Sequence, residues 1–479
     1  MTRLRALVLW PVRRRRRAIP ICLSVARWVW VAYFLRCRSE LRAEKAALAA
    51  ELRARGEIAD FAELAGKVRA DDPGLKHFLR ALLSVGGESA AGYKAGATRS
   101  PLSEAVMIIG DWQPPADSPT VKDRDFLDKL SEPNPGPELA LVAGRIAPAI
   151  AELERAVAHP PALLPHDYAT TTPHAMLIPF EADVRMLAHG CKAAAFQAIV
   201  KGDARRAFAM ANLCLRLGPR LERQPFLIAR LIEIKAWEIG LETLAAVLGR
   251  FDPSPEEFKA LDDSLLAAES FSYRAAVHGE QAMLLTLRER ANFDELMQIV
   301  GARAQAEDRW RIKLKFWFER SGFGEVRRLQ DDVRLMRNVE RRIAAMDDLS
   351  PTGRAVLVDL ALEPDRDLGA GLLGGAIADF GPFRAAKHRL LVKASLARGA
   401  LRINRFRATH GRLPGALAEV ADADWNPQSE ILFGAAGPHY EKTNEGFLLR
   451  HADLSLIPKE GKANPYLIEV KNPPDRRPK

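Results

Sequence analysis

QPFLIARLIEIKAWEIGLETLAAVLG, residues 224–249, decides the fold. Leu227, Leu231, Ile234, Leu241 and Leu248 recur at the spacing that lines one face of a 3.6-residue helix. Ile228, Ile232 and Trp237 fall off that stripe, which predicts a helix buried on several sides. Such a helix needs others around it, and both flanks supply them. Upstream, Glu181 to Lys201 and Asp203 to Leu217 read as an antiparallel hairpin turning at Gly202-Asp203. Downstream, Ser254-Pro255-Glu256-Glu257 is a capping box with proline at the first helical position, and it fixes a helix start.

Working outward, a helix is predicted from Pro137 to Ala158, followed by a Pro-rich connection over 159–174. Helices continue to about residue 346, with the mixed charges of 323–345 predicting a solvated one, and a further helix covers 351–365. The expected helical body is therefore 137–365, preceded by a loop-rich helical region over 61–136. No period repeats three times, so the body is not a solenoid. A Gly-rich link over 366–382 leads into a long basic helix, 383–409. On it Val392, Leu396, Gly399, Ile403, Phe406 and His410 fall along one seam. The tail then changes character: ILFG, PHYEK, EGFLLRH and PYLIEV are short β-prone runs. They predict a small antiparallel sheet on the last helix, making 383–479 an α+β module. The fold class is mainly α.

The amino-terminal end predicts a location. Arg13 to Arg17 precede an apolar stretch, Ala18 to Leu35. Eighteen helical residues span about 27 Å, close to the roughly 30 Å of bilayer hydrocarbon. The basic flank places residues 1–17 in the cytoplasm, 18–36 as a transmembrane anchor and 37–60 as a stalk helix. The body would then lie outside the inner (cytoplasmic) membrane, with the lipid bilayer as its first partner. Arg27 and Pro20 work against a span, and a cleaved signal peptide or a basic amphipathic surface segment are the rival readings. Against cleavage, Arg36, Cys37 and Arg38 stand where a small-x-small site belongs.

The net charge of +10 is local. Residues 1–55 hold 14 Lys plus Arg against 3 acids, whereas the remainder holds 57 against 58. The charge suits anionic headgroups, and the sequence offers no nucleic-acid surface. Four cysteines are too few for a disulfide scaffold, and Cys191 and Cys214 read as buried free thiols.

The sequence assigns no catalytic, cofactor-binding or metal-ligating residue. No HExxH, GxSxG, SxxK, CxxC or phosphate-loop string occurs. Gly369-Ala370-Gly371-Leu372-Leu373-Gly374 matches a dinucleotide fingerprint in letters only, because Glu363-Pro364-Asp365-Arg366-Asp367 replaces the strand that should precede it. His159, His166 and His174 are loop histidines before they are metal ligands. Acid–base pairs can be drawn from His278, Glu280 and Tyr273, or from Glu181, Asp183 and His189. The helix 383–412 carries nine Lys or Arg and no acid. It could dock a protein partner, as could the helical body, but acids elsewhere in the chain explain it with fewer assumptions. Phe316, Trp317, Phe318 and Phe323 are expected in a core.

Two stretches carry a resemblance. ALRINRFRATHGRLPGALAEV (400–420) followed by PHYEKTNEGFLLRHAD (438–453) resembles the end of secretion pseudopilins of the major type, with Gly411, Pro414, Leu417, Tyr440 and Gly446 in the matching positions. The chain has no prepilin-type GFTLIE start, and only Asp424-Trp425-Asn426-Pro427 stands near the Asp-Pro-Trp-Gly phrase, so neither pilin assembly nor calcium binding is implied. The whole layout, including Glu51 to Gly56 and Ala193 to Ala207, is similar to uncharacterised bacterial single-pass membrane-anchored helical proteins. That similarity implies an architecture. The expected role is binding or scaffolding at the envelope, with a hydrolase-like envelope enzyme or a component of a secretion or pilus-like apparatus as alternatives.

Overall fold

The computed structural model describes residues 2–86, 119–133, 136–166, 180–290, 321–349 and 381–422, with 108, 168, 313, 317, 425, 430–433, 437–443, 446–451 and 467–471. Among these the chain is mainly helical and divides into two compact units.

The first unit comprises residues 1–59, 291–340 and 364–376. Its long helix α1 runs Thr2–Ala54, and Gly56, in the left-handed region at φ 80°, ends it. Half-buried positions on α1 recur as Val31, Phe34, Arg38, Leu41, Lys45 and Leu48, ending in buried Leu52. Their alternating spacing of three and four is a coiled-coil seam. Across it Arg38 and Arg42 meet Glu325, Lys45 meets Asp332 at 3.0 Å, Glu44 meets Arg337, and Arg55 meets Glu340 at 3.2 Å. The stalk is therefore paired with a second helix. The expectation of a solvated helix over 323–345 is corrected in the same way, since Leu329, Val333, Met336 and Val339 are buried.

Among the described residues no helix is long and apolar enough to cross a membrane. Of the expected span 18–36, side chains are described only from Arg27 onward. There Trp28, Val29, Trp30, Tyr33 and Leu35 are exposed. Trp317, expected in a core, is also exposed, at 61%.

The second unit comprises residues 60–290, 341–363 and 377–479. Its helices are α2 (Pro73–Gly86), α3 (Val121–Lys129), α4 (Pro137–Ala156), α5 (Phe180–Lys201), α6 (Ala204–Leu217), α7 (Leu227–Leu248), α8 (Pro255–Glu269) and α9 (Arg274–Arg290). Helix α10 (Gly322–Asp347) follows in sequence, and then come α11 (Gly381–His410) and α12 (Glu430–Phe433). The predicted hairpin is α5–α6. Gly202 turns it at φ 73°, and the Asp203 side chain accepts the Arg206 amide as an N-cap. Helix α7 lies against α5, α6 and α11, which explains burial on several sides. Trp237 is 1% exposed, while Ile228 is an exception at 46%. Two glycines permit this packing. A Cβ on Gly240 would stand 2.9 Å from Leu215, and one on Gly218 would stand 2.6 Å from the Trp237 indole. The capping box of Ser254 and Glu257 opens α8.

The basic helix α11 begins at Gly381, two residues before the expected boundary. Pro382 is accommodated because a first-turn residue needs no amide donor. Val392, Leu396, Gly399 and Ile403 of its seam are buried, whereas Phe406 is half-buried and His410 is exposed. The sheet is three-stranded and antiparallel: β1 (Pro438–Thr443), β2 (Gly446–His451) and β3 (Leu467–Lys471), in that order. Glu441 pairs with Leu448, and Leu448 with Glu469. ILFG, expected as a strand, is instead the helical turn α12. The sheet rests on α11 where Gly399 leaves space: a Cβ there would lie 2.6 Å from Trp425 and 2.9 Å from Leu449. Trp425, 2% exposed, donates its indole N–H to the Ser395 carbonyl at 3.0 Å.

Candidate functional site

The strongest site lies in the second unit, where α6, the short 3-10 helix Gly218–Leu221, α7, α8 and the Pro-rich connection surround an open cleft of about 480 Å³. Trp237, Leu215 and Pro219 line it on one side, Ala260, Ser264 and Ala267 on another, and His159 and Pro161 on a third. Three side chains after α5 hold the connection in place. Arg216 donates to the Val157 carbonyl at 2.5 Å, and Arg220 to the His159 carbonyl at 2.6 Å. Gln224, fully buried, donates to Ala162 O at 3.0 Å and accepts the Leu164 amide at 3.2 Å.

Arg220 is the unusual member. It is 3% exposed, stacked over the Phe78 ring at 5.5 Å, and it lines the cleft. Only Nη1 has an acceptor; among the described residues Nε and Nη2 have none. Burial pulls its pKa down to about 10, against the pull of Asp72 and Glu222. A buried donor left unmatched costs about 1–3 kcal/mol, and more when charged, so Arg220 is a poorly satisfied charge in the wall of the cleft. Elsewhere on the wall Ser264 donates to Asn212 at 2.7 Å, and Asp263 pairs with Lys259 at 2.7 Å.

The sequence-derived candidates do not assemble a second site. His166 is buried against Tyr168, Phe180 and Phe226, with ring centroids 5.4–5.6 Å away. Burial lowers its pKa to about 3. His159 lies on the cleft instead, and His174 is outside the described residues. Among the described residues no group of three His, Cys, Asp or Glu could hold a metal. Glu280 accepts the Leu227 amide at 3.1 Å, which caps α7, and burial raises its pKa. Tyr273 donates to Phe383 O at 2.6 Å, and His278 is 1% exposed. His189 faces Asp128 at 3.4 Å, yet burial drives its pKa down to about 4. Asp183 is buried at 9% exposed, and the side chain of Glu181 is outside the described residues. Of the described candidates only His159 lines the cleft. The fingerprint Gly369 to Gly374 also lies outside the described residues. Cys191 and Cys214 are free and buried; burial lifts Cys191 to about 12.

Most of the basic helix is matched internally. Lys387 pairs with Asp347, Lys393 with Glu238, Arg398 with Asp262 and Glu269, Arg402 with Asp262 and Asp422, Arg407 with Asp252, and Arg412 with Glu419. Burial pushes the Asp262 carboxyl up, and Arg402 and Arg398 more than reverse that, holding it below the usual carboxylate range. Sequence reasoning passed over Arg220. The available signal was an arginine set between Leu217 and Leu221, both fully buried, at a Gly-Pro break between two helices.

Comparison with known proteins finds no family model that matches the chain, and no curated protein or solved structure similar to it.

Proposed function

We propose that the chain is a single-pass membrane-anchored binding protein whose helical body holds a small ligand in the cleft beside Arg220. One observation carries the ligand reading: Arg220, whose Nε and Nη2 have no acceptor among the described residues, stands in the wall of an open space of about 480 Å³. That volume lies in the usual range for small-molecule sites, and the lining mixes Trp237, Leu215, Pro161 and Ala267 with His159, Asn212, Arg216, Asp263 and Ser264. The anchor reading draws on Arg13 to Arg17, the apolar run Ala18–Leu35 and the exposed aromatic belt Trp28, Trp30 and Tyr33. Binding is favoured over hydrolysis because, among the described residues, neither His278 with Glu280 and Tyr273 nor His189 with Asp183 lines this cleft.

Native mass spectrometry of the full chain, extracted from membranes and released from detergent, tests both parts. The expected result is a chain found in the membrane fraction and carrying one small non-lipid molecule. Ala260→Trp, which fills the cleft, is expected to abolish that added mass. A chain freely soluble after gentle lysis contradicts the anchor. A ligand-free chain, or an added mass that Ala260→Trp leaves unchanged, contradicts the cleft.

A further inference from the structure

We infer that the segment ending at Trp317 is a second membrane contact, which seats aromatic and basic side chains in the headgroup layer of an anionic bilayer. The inference rests on residues 18–36 being an anchor and says what the chain does where that anchor leaves the membrane.

The level of this segment follows from ion pairs inside the first unit. Arg38 meets Glu325 at 2.7 Å, and Lys45 meets Asp332 at 3.0 Å, seven residues further along both helices. Helices α1 and α10 therefore run side by side in the same direction. Carried back three residues from Arg38 and Glu325, that register sets Gly322, where α10 starts, beside Leu35, the last of the apolar run. The helix pair begins where the proposed span ends. Trp317 is one turn earlier still, its carbonyl accepting the Ser321 amide at 3.0 Å. One turn covers about 5.4 Å, which keeps Trp317 within reach of the layer that Tyr33 and Trp30 occupy.

The chemistry suits that layer. Trp317 is exposed, as are Trp28, Trp30 and Tyr33. Rings with an apolar body and a polar N–H or O–H favour the membrane–water boundary over either side of it. Lys313 is helical, exposed and four residues before Trp317, so the two side chains share one face. In the sequence, residues 309–318 add Arg309, Arg311 and Lys315 and contain no acid. Such side chains lay their stems on apolar surface while the charged head reaches a phosphate. This density of cations fits headgroups and not hydrocarbon.

Site-specific photocrosslinking of the full chain, in vesicles of mixed phosphatidylcholine and phosphatidylglycerol, tests this directly. The photoreactive residue p-benzoylphenylalanine replaces Trp317, Tyr33 or Arg337 in turn, and mass spectrometry reads what each position captures. Arg337 is exposed and lies about 22 Å along α10 from its start, so it serves as the lipid-free control. A phospholipid adduct is expected at positions 33 and 317 and not at 337. Lys313→Glu is expected to lower the adduct at 317 about fivefold, the worth of one cation at an anionic surface, with circular dichroism showing that the variant is folded. Phosphatidylcholine alone is expected to lower it at least as far. An adduct at 33 without one at 317 overturns the second contact and leaves the anchor standing, whereas no adduct at either overturns both. Capture of another protein chain at 317 in place of lipid assigns the patch to a partner and overturns the inference. Equal lipid capture at 317 and 337 overturns it too, and a yield at 317 indifferent to lipid charge and to Lys313 overturns the anionic preference.

Discussion

Arg398 on α11 and Arg220 beside the cleft are equally hidden, at 1% and 3% exposed, but they are treated in opposite ways. Arg398 sends Nε to Asp262 at 2.9 Å and Nη1 to Glu269 at 2.6 Å. Its neighbour Arg402 spreads three nitrogens over Asp262 and Asp422. Among the described residues no carboxylate forms an ion pair with Arg220, and its Nε and Nη2 have no acceptor. His166 shows a third treatment: a buried ring kept neutral. A buried charge that is fully matched belongs to the architecture. One that is half matched, as Arg220 is, is where the binding reading proposed above begins.

Breaking the matched region gives the largest effect. Arg398→Met strips Glu269 of its arginine partner and leaves Asp262 to Arg402 alone, and is expected to cost about 3–5 kcal/mol in denaturant unfolding. A loss under about 1 kcal/mol would mean that Arg402 alone balances Asp262.

Acid sharpens the comparison next. His166 in the unfolded chain takes up a proton below about pH 6.5, while in the fold it resists to about 3. Its stabilisation is therefore intact above pH 6.5 and fades as pH falls, by about 1.4 kcal/mol per pH unit. Between pH 6.5 and 4.5 that amounts to about 2–3 kcal/mol. Thermal melts across this window should show the slope, and His166→Phe should reduce it; an unchanged slope would assign it to His189 and other groups.

A smaller effect is expected where the sheet meets α11. Gly399→Val places methyl groups against Trp425 and Leu449, and overpacking of this kind costs about 1–3 kcal/mol. Hydrogen exchange should show β2 loosening first. If α12 and β2 keep full protection, the tail is held by something other than this contact.

Much of the helical body was legible because its signals are local. Gly202-Asp203 turns the hairpin, Ser254 and Glu257 cap α8, and the apolar residues off the stripe of 224–249 announced burial on several sides. The charge of α11 was read toward its internal acids, although no pattern could say which acids, since Asp262 lies 136 residues from Arg398. The pairing of the stalk with the start of α10 escaped notice for the same reason: Arg42 and Glu325 are 283 residues apart. ILFG misled because four apolar residues fit a strand or a buried helical turn equally well. The cleft was illegible. Its walls come from five segments, and the meaning of Arg220 lies in the acceptors it lacks, which no spacing encodes.

The fold leaves Nε and Nη2 of Arg220 without an acceptor among the described residues. Arg220→Met tests it most directly, by chemical denaturation of the full chain in detergent with no added ligand. The variant gives up one hydrogen bond to His159 but also relieves a poorly matched buried charge, so its stability is expected to stay within about 1 kcal/mol of the parent. A loss of about 3–5 kcal/mol, equal to that of Arg398→Met, would show Arg220 to be fully employed in the fold and would contradict the account.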